Sequence, residues 1–111
     1  MIDKENILKS YIKSTMVIKM SRGHYVYILE CSDQTYYTGY TISLARRLKL
    51  HQLGKASKYT RVRLPVNLVY SEKVEDRSAG LRREIEIKKL RRKQKEQLVK
   101  MGGQSEYSKE L

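Results

Sequence analysis

The chain has 111 residues, room for one compact core and not for two. Its 24 Lys and Arg against 12 Asp and Glu leave a formal net charge of +12, which repels itself unless an anionic partner offsets it; nucleic acid is the commonest such partner, and a merely soluble basic surface is the alternative. Cys31 is the sole cysteine, which excludes a disulfide framework and a zinc site of paired cysteines, and no apolar run reaches the roughly 18 to 20 residues of a membrane span, so the expected setting is a reducing cytoplasm.

Residues 1–22 are polar and dotted with lysine, with a loose amphipathic pattern through Ile7, Leu8, Tyr11 and Ile12, and read as an arm that is either a short helix or disordered. From Tyr25 the period becomes two, with Tyr25, Tyr27 and Leu29 on one side and Val26 and Ile28 on the other, predicting a strand from His24 to Cys31. Ser32 to Thr35 is turn chemistry and Tyr36 to Tyr40 is again β-prone, so the two runs form a hairpin, with Gly39 marking a close approach or a bulge. Thr41 or Ser43 caps a helix through Ile42, Leu44, Ala45, Leu48 and Leu53 that stops at Gly54. The stretch 55–65 is rich in basic residues and reads as an exposed loop, whose Lys55, Lys58, Arg61 and Arg63 either contact phosphates or are simply solvated. A third strand is predicted over 66–74. A helix from Arg77 to about Lys93, capped by Asp76 or Ser78, follows with Leu81, Ile85, Ile87 and Leu90 as its anchors. A break near Arg91 and a short helix to Met101 complete a domain spanning 23–101, and 102–111 reads as a frayed tail. The order β-β-α-β-α predicts an α+β layer structure, a three-stranded, mainly antiparallel sheet flanked by helices.

Four groups carry candidate chemistry. Tyr27 and Tyr37 are ordinary strand aromatics taken singly; an odd number of turn residues, or a bulge near Gly39, puts them on one face of the sheet and a two-residue turn does not. Arg47 and His51 lie four apart on one helix face, as a phosphate-facing pair or as a solvated stripe. Glu84 is three residues from both Leu81 and Ile87, on or beside the buried face, where a carboxylate needs compensation from Lys88 at i+4 or from a divalent cation. The basic run around it, including Lys88, Arg91 and Arg92, together with Arg46 on the earlier helix, offers a phosphate track or a wet helix face.

In its strings YVYILECSDQTYYTGYT, RRLKLHQLGKASKYTR, PVNLVYSE and LRREIEIKKL, in this order and spacing, the chain resembles the GIY-YIG nuclease superfamily, in particular its small single-domain bacterial UPF0213-type branch. The resemblance spans about residues 24–100. It implies that Tyr27 and Tyr37 position and deprotonate an attacking water, that Arg47 stabilises charge on the scissile phosphate, that His51 assists proton transfer and that Glu84 holds one Mg²⁺ or Mn²⁺. A phenol titrates near ~10, so Tyr27 needs neighbouring cations, Arg47 and such a metal, to favour its phenolate. Tyr25 stands where the family usually has glycine and Thr38 replaces the middle aliphatic of the second motif. Lys95-Glu96-Gln97 occupies the region where many members carry a polar residue, often Asn. The expected function is a metal-dependent endonuclease hydrolysing phosphodiester bonds, DNA first among substrates, acting as a monomer and drawing specificity from a larger complex where it has any. The alternatives are a catalytically inactive GIY-YIG nucleic-acid-binding module and a structural RNA- or ribosome-associated basic protein.

Overall fold

The computed structural model describes residues 23–101; the readings made for residues 1–22 and 102–111 lie outside them. Three strands form one antiparallel sheet in the order β2-β1-β3, with β1 at His24–Glu30, β2 at Tyr36–Thr41 and β3 at Asn67–Val74. As the central strand β1 is covered on both faces, which is why every residue from Tyr25 to Leu29 is buried although they alternate between faces. Tyr25, Tyr27, Leu29 and Cys31 belong to one core layer; Val26 and Ile28 belong to the other, with Tyr70.

Strand β1 ends one residue before the expected Cys31, and the loop from Cys31 to Thr35 has five residues. It is closed by Cys31 N donating to Thr35 O at 2.8 Å and shaped by Asp33, whose carboxylate accepts from the Thr35 N–H at 3.1 Å. Glu30 therefore pairs with Tyr36, Leu29 with Tyr37 and Tyr27 with Gly39. This odd loop places Tyr27 and Tyr37 on the same face. The strand pair has no bulge at Gly39; the irregularity falls instead between β1 and β3, where the pairing steps from Ile28–Tyr70 to Leu29–Leu68 and leaves Val69 over.

On the tyrosine face lies α1, Leu44–Gln52, which buries Leu44, Leu48 and His51 at helical spacing. Gly54, at φ +75°, ends it: the Gly54 N–H bonds to His51 O and the Lys55 N–H to Leu50 O, a Schellman closure that needs a left-handed residue at this position. Part of the predicted exposed loop 55–65 folds as a short helix, α2, Lys58–Arg61, capped by the Ser57 hydroxyl accepting from the Thr60 N–H at 3.1 Å, and it buries Thr60 completely. Gln52 binds both backbone groups of Val66, tying the end of α1 to the entry of β3.

The opposite face carries α3, Arg77–Lys88, and α4, Arg92–Met101. Asp76 caps α3, its Oδ1 accepting from the Ala79 N–H at 2.8 Å. The helix stops five residues before the expected Lys93, and two of its expected anchors are wrong: Leu81 and Ile85 are 37% and 53% exposed. Gly80 is the reason. A Cβ there would stand 2.5 Å from the Tyr40 ring, so α3 meets the sheet along Gly80 and Ile87, two turns apart, and Leu81 and Ile85 fall on its flank. Leu98 and Val99 of α4 pack on the same layer.

Candidate active site

Three of the five expected site residues touch. The Tyr27 hydroxyl and His51 Nε2 are 2.8 Å apart in a buried hydrogen bond, and the Tyr37 ring stands 6.4 Å from the Tyr27 ring and 5.2 Å from the His51 imidazole, centroid to centroid. Each position has a local cause. Tyr27 sits mid-strand opposite Gly39, where a Cβ would meet its hydroxyl at 2.5 Å, so glycine is what lets the phenol lie across the edge strand. His51 comes from the last turn of α1, on the stripe that begins at Leu44 and Leu48. Tyr37 is half-buried and is the exposed side of the cluster, with Tyr59 of α2 stacked on it at 6.2 Å and 24°.

Burial sets the protonation of this pair. The His51 imidazole is 1% exposed, and its pKa is pushed down from 6.5 to about 4, first by burial and then by the Arg47 guanidinium. The Tyr27 phenol is pushed well above its ordinary range by burial and by Tyr37, with Glu84 adding to this and Arg47 opposing it. Arg47 thus acts in the expected direction but is outweighed, so Tyr27 is a protonated phenol bonded to a neutral imidazole, not a phenolate held by cations.

Arg47 is half-buried on α1 and is placed by its charge, which registers at both Tyr27 and His51. It borders a cleft of about 290 Å³ lined by Thr41, Ile42, Ser43, Arg46, Arg47 and Leu50, an opening where two guanidiniums and two hydroxyl residues meet. Glu84 is in a different position. Its helix packs on the other face of the sheet, its side chain is 19% exposed and pairs with Lys88 at 3.4 Å, and its charge registers at Tyr27. Among the described residues no three His, Cys, Asp or Glu side chains come together as a metal cage. A single half-buried carboxylate is the protein share of a Mg²⁺ site completed by water and substrate phosphate, and Glu84 fits that donor chemistry.

The expected phosphate contacts divide. Arg46, Lys55, Lys58 and Arg61 are exposed on or beside α1 and α2, the tyrosine-face layer, and Arg91 is exposed between α3 and α4. Others are engaged within the fold. Arg63 bonds Asp33 at 3.0 Å and covers the Tyr59 ring at 3.8 Å; Arg92 covers Tyr36 at 3.8 Å and donates to Gln34 O; Lys88 holds Glu84. Two residues that the sequence did not single out complete the site. Thr60 Oγ1 lies 2.9 Å from His51 Nδ1, and Ser57 Oγ lies 2.8 Å from Thr60 Oγ1. The stretch 55–65 read as an exposed loop and carried no signal for them; contact with a histidine nine residues earlier depends on how the intervening turn folds back.

Residues 23–97 match the family model described as the GIY-YIG catalytic domain. A UPF0213 protein of Natronomonas pharaonis is 51% identical over 80 residues, covering 72% of this chain and 94% of that protein. A UPF0213 protein of Syntrophus aciditrophicus is 53% identical over 78 residues, 69% of this chain and 90% of the relative. The solution NMR structure of an E. faecalis protein, 44% identical, superimposes with a TM-score of 0.51 over 73% of this chain and 86% of that one. Among the described residues no helix is long and apolar enough to cross a membrane.

Proposed function

Because this chain belongs to the GIY-YIG catalytic-domain family, alongside its UPF0213 relatives, we propose that it hydrolyses phosphodiester bonds of nucleic acid, DNA first among them, at the Tyr27–Tyr37–His51 face. The observation that carries this reading is the buried 2.8 Å contact between the Tyr27 hydroxyl and His51 Nε2, with Arg47 beside it. A phenol is a poor base by itself, but a phenol whose proton has a bare imidazole nitrogen to go to can take a proton from water in the same motion. Water, positioned by the Tyr27 and Tyr37 hydroxyls, attacks phosphorus. Its proton passes to the Tyr27 oxygen as the Tyr27 proton passes to His51 Nε2, the new P–O bond forms, and the opposite P–O bond breaks with its oxygen protonated from solvent.

The low proton affinity of His51 in the free protein comes first from burial and then from Arg47, which repels the imidazolium. A scissile phosphate against Arg47 offsets that repulsion and makes His51 a better acceptor when substrate is present. Glu84 is the residue that would hold one Mg²⁺ or Mn²⁺, which when bound supplies positive charge to the phosphoryl oxygens. The exposed Arg46, Lys55, Lys58 and Arg61, on the same layer as the cluster, would carry the flanking phosphates.

The test is cleavage of single-stranded, duplex and branched DNA and RNA with Mg²⁺ or EDTA, by the wild type and by Glu84→Ala and Tyr27→Phe. Metal-dependent cutting lost in both variants supports the enzyme and a working role for Glu84. Cutting that survives Glu84→Ala in EDTA sinks the metal assignment. Binding without cutting on any substrate leaves a nucleic-acid-binding module.

A further inference from the structure

His51 has two ring nitrogens and the nuclease chemistry uses one. The other, Nδ1, is 2.9 Å from Thr60 Oγ1 in a fully buried contact, and Thr60 is itself 0% exposed. The Thr60 hydroxyl is held by Ser57, whose Oγ lies 2.8 Å from Thr60 Oγ1 and accepts the Thr60 N–H at 3.1 Å as the cap of α2. The short helix thus stands behind the imidazole with one orientable hydroxyl.

Two proton arrangements are consistent with these contacts. In one, Tyr27 donates to Nε2, Nδ1–H donates to Thr60, and Thr60 donates to Ser57. In the other, every bond runs backwards, from Ser57 through Thr60 and the ring to Tyr27 as acceptor. Acid–base matching separates them: a phenol O–H is a far stronger donor than a neutral imidazole N–H, and a bare imidazole nitrogen is a far stronger acceptor than a phenol oxygen. The first arrangement pairs the stronger donor with the stronger acceptor.

We propose that Thr60, held by Ser57, is a positioning residue that accepts from His51 Nδ1–H and so, together with Tyr27 donating on the other side, holds the ring in its Nδ1–H tautomer with Nε2 bare toward Tyr27. An unconstrained histidine favours the opposite, Nε2–H form, which would leave no acceptor for the Tyr27 proton. The hydrogen bond made by the distal nitrogen thus supports the tautomer that the other nitrogen needs, as is general for working histidines. The catalytic consequence rests on the nuclease reading; the tautomer does not.

The experiment is long-range ¹H–¹⁵N correlation of the imidazole nitrogens in the ¹⁵N-labelled full chain. Only His24 and His51 contribute, and His24→Gln assigns them. The wild type is expected to show His51 with a protonated Nδ1 and a bare Nε2. Thr60→Val, nearly isosteric but unable to accept, is expected to shift the ring toward the Nε2–H form and to slow cleavage by up to about 10²-fold. Thr60→Ser is expected to retain both tautomer and rate, which separates loss of the hydroxyl from a packing defect. An Nε2–H signal in the wild type, or an unchanged ring pattern in folded Thr60→Val, overturns the proposal. An Nδ1–H wild type that cuts no substrate upholds the tautomer lock while the nuclease reading falls.

Discussion

His51 is neutral over most of the pH range because burial and Arg47 both penalise its cation. Unfolded, the imidazole takes a proton near 6.5; folded, only near about 4. Between these values the unfolded chain binds more protons, so the contribution of His51 to stability is lost as pH falls from about 6.5 toward about 4 and is level outside that window. The loss amounts to as much as about 3 kcal/mol. Urea midpoints measured at pH 7 and pH 4.5 are expected to differ more in the wild type than in His51→Gln; equal differences would show that His51 does not carry the effect. For Tyr27→Phe, removal of the hydroxyl leaves a buried His51 nitrogen without its partner, at a cost of about 1 to 3 kcal/mol. Cleavage is expected to fall by about 10² or more in the same variant. A Tyr27→Phe protein that cuts at the wild-type rate would remove the phenol from the chemistry.

At the scale of elements, two glycines decide where chemistry sits. Gly39 on β2 admits the Tyr27 hydroxyl where a Cβ would stand 2.5 Å from it, and Gly80 brings α3 against Tyr40. Gly39→Ala is expected to push Tyr27 out of its bond with His51, destabilising by about 1 to 3 kcal/mol, with the change seen in the melting temperature and in the His51 ring signals. Gly80→Ala is expected to cost a similar amount in stability while leaving those ring signals unchanged, because the tyrosine cluster belongs to the other layer. The strands and α1 were legible because the unbroken β-prone run of β1 and the Leu44–Leu48 spacing report burial directly. The face of α3 was not. Leu81 and Ile85 carry the apolar signal, yet a glycine that makes no hydrophobic signal chooses the contact side.

Over the whole molecule, charge is distributed unevenly with respect to the site. Arg46, Lys55, Lys58 and Arg61 are exposed on the layer that carries His51, while Arg63 and Arg92 are held over tyrosines. If about four of these cations meet phosphates, affinity for nucleic acid is expected to fall about 10²-fold between 50 and 200 mM salt. Lys58→Gln is expected to lower the slope of that dependence by about one. A salt-independent affinity would exclude the phosphate track. The sequence by itself determined the hairpin, the order of strands and longer helices and the basic character, and its motif spacing named Tyr27, Tyr37, Arg47, His51 and Glu84 as candidates, because periodicity and motif spacing are properties of the chain alone. Only the tertiary structure decided the rest. The five-residue turn put the tyrosines on one face, burial outweighed Arg47 and kept Tyr27 protonated, and Glu84 came from a helix on the other layer with its charge registering at Tyr27. The α2 turn brought Thr60 to the far side of His51. Each of these depends on distances between segments far apart in sequence and on the water excluded between them, and no local pattern encodes either.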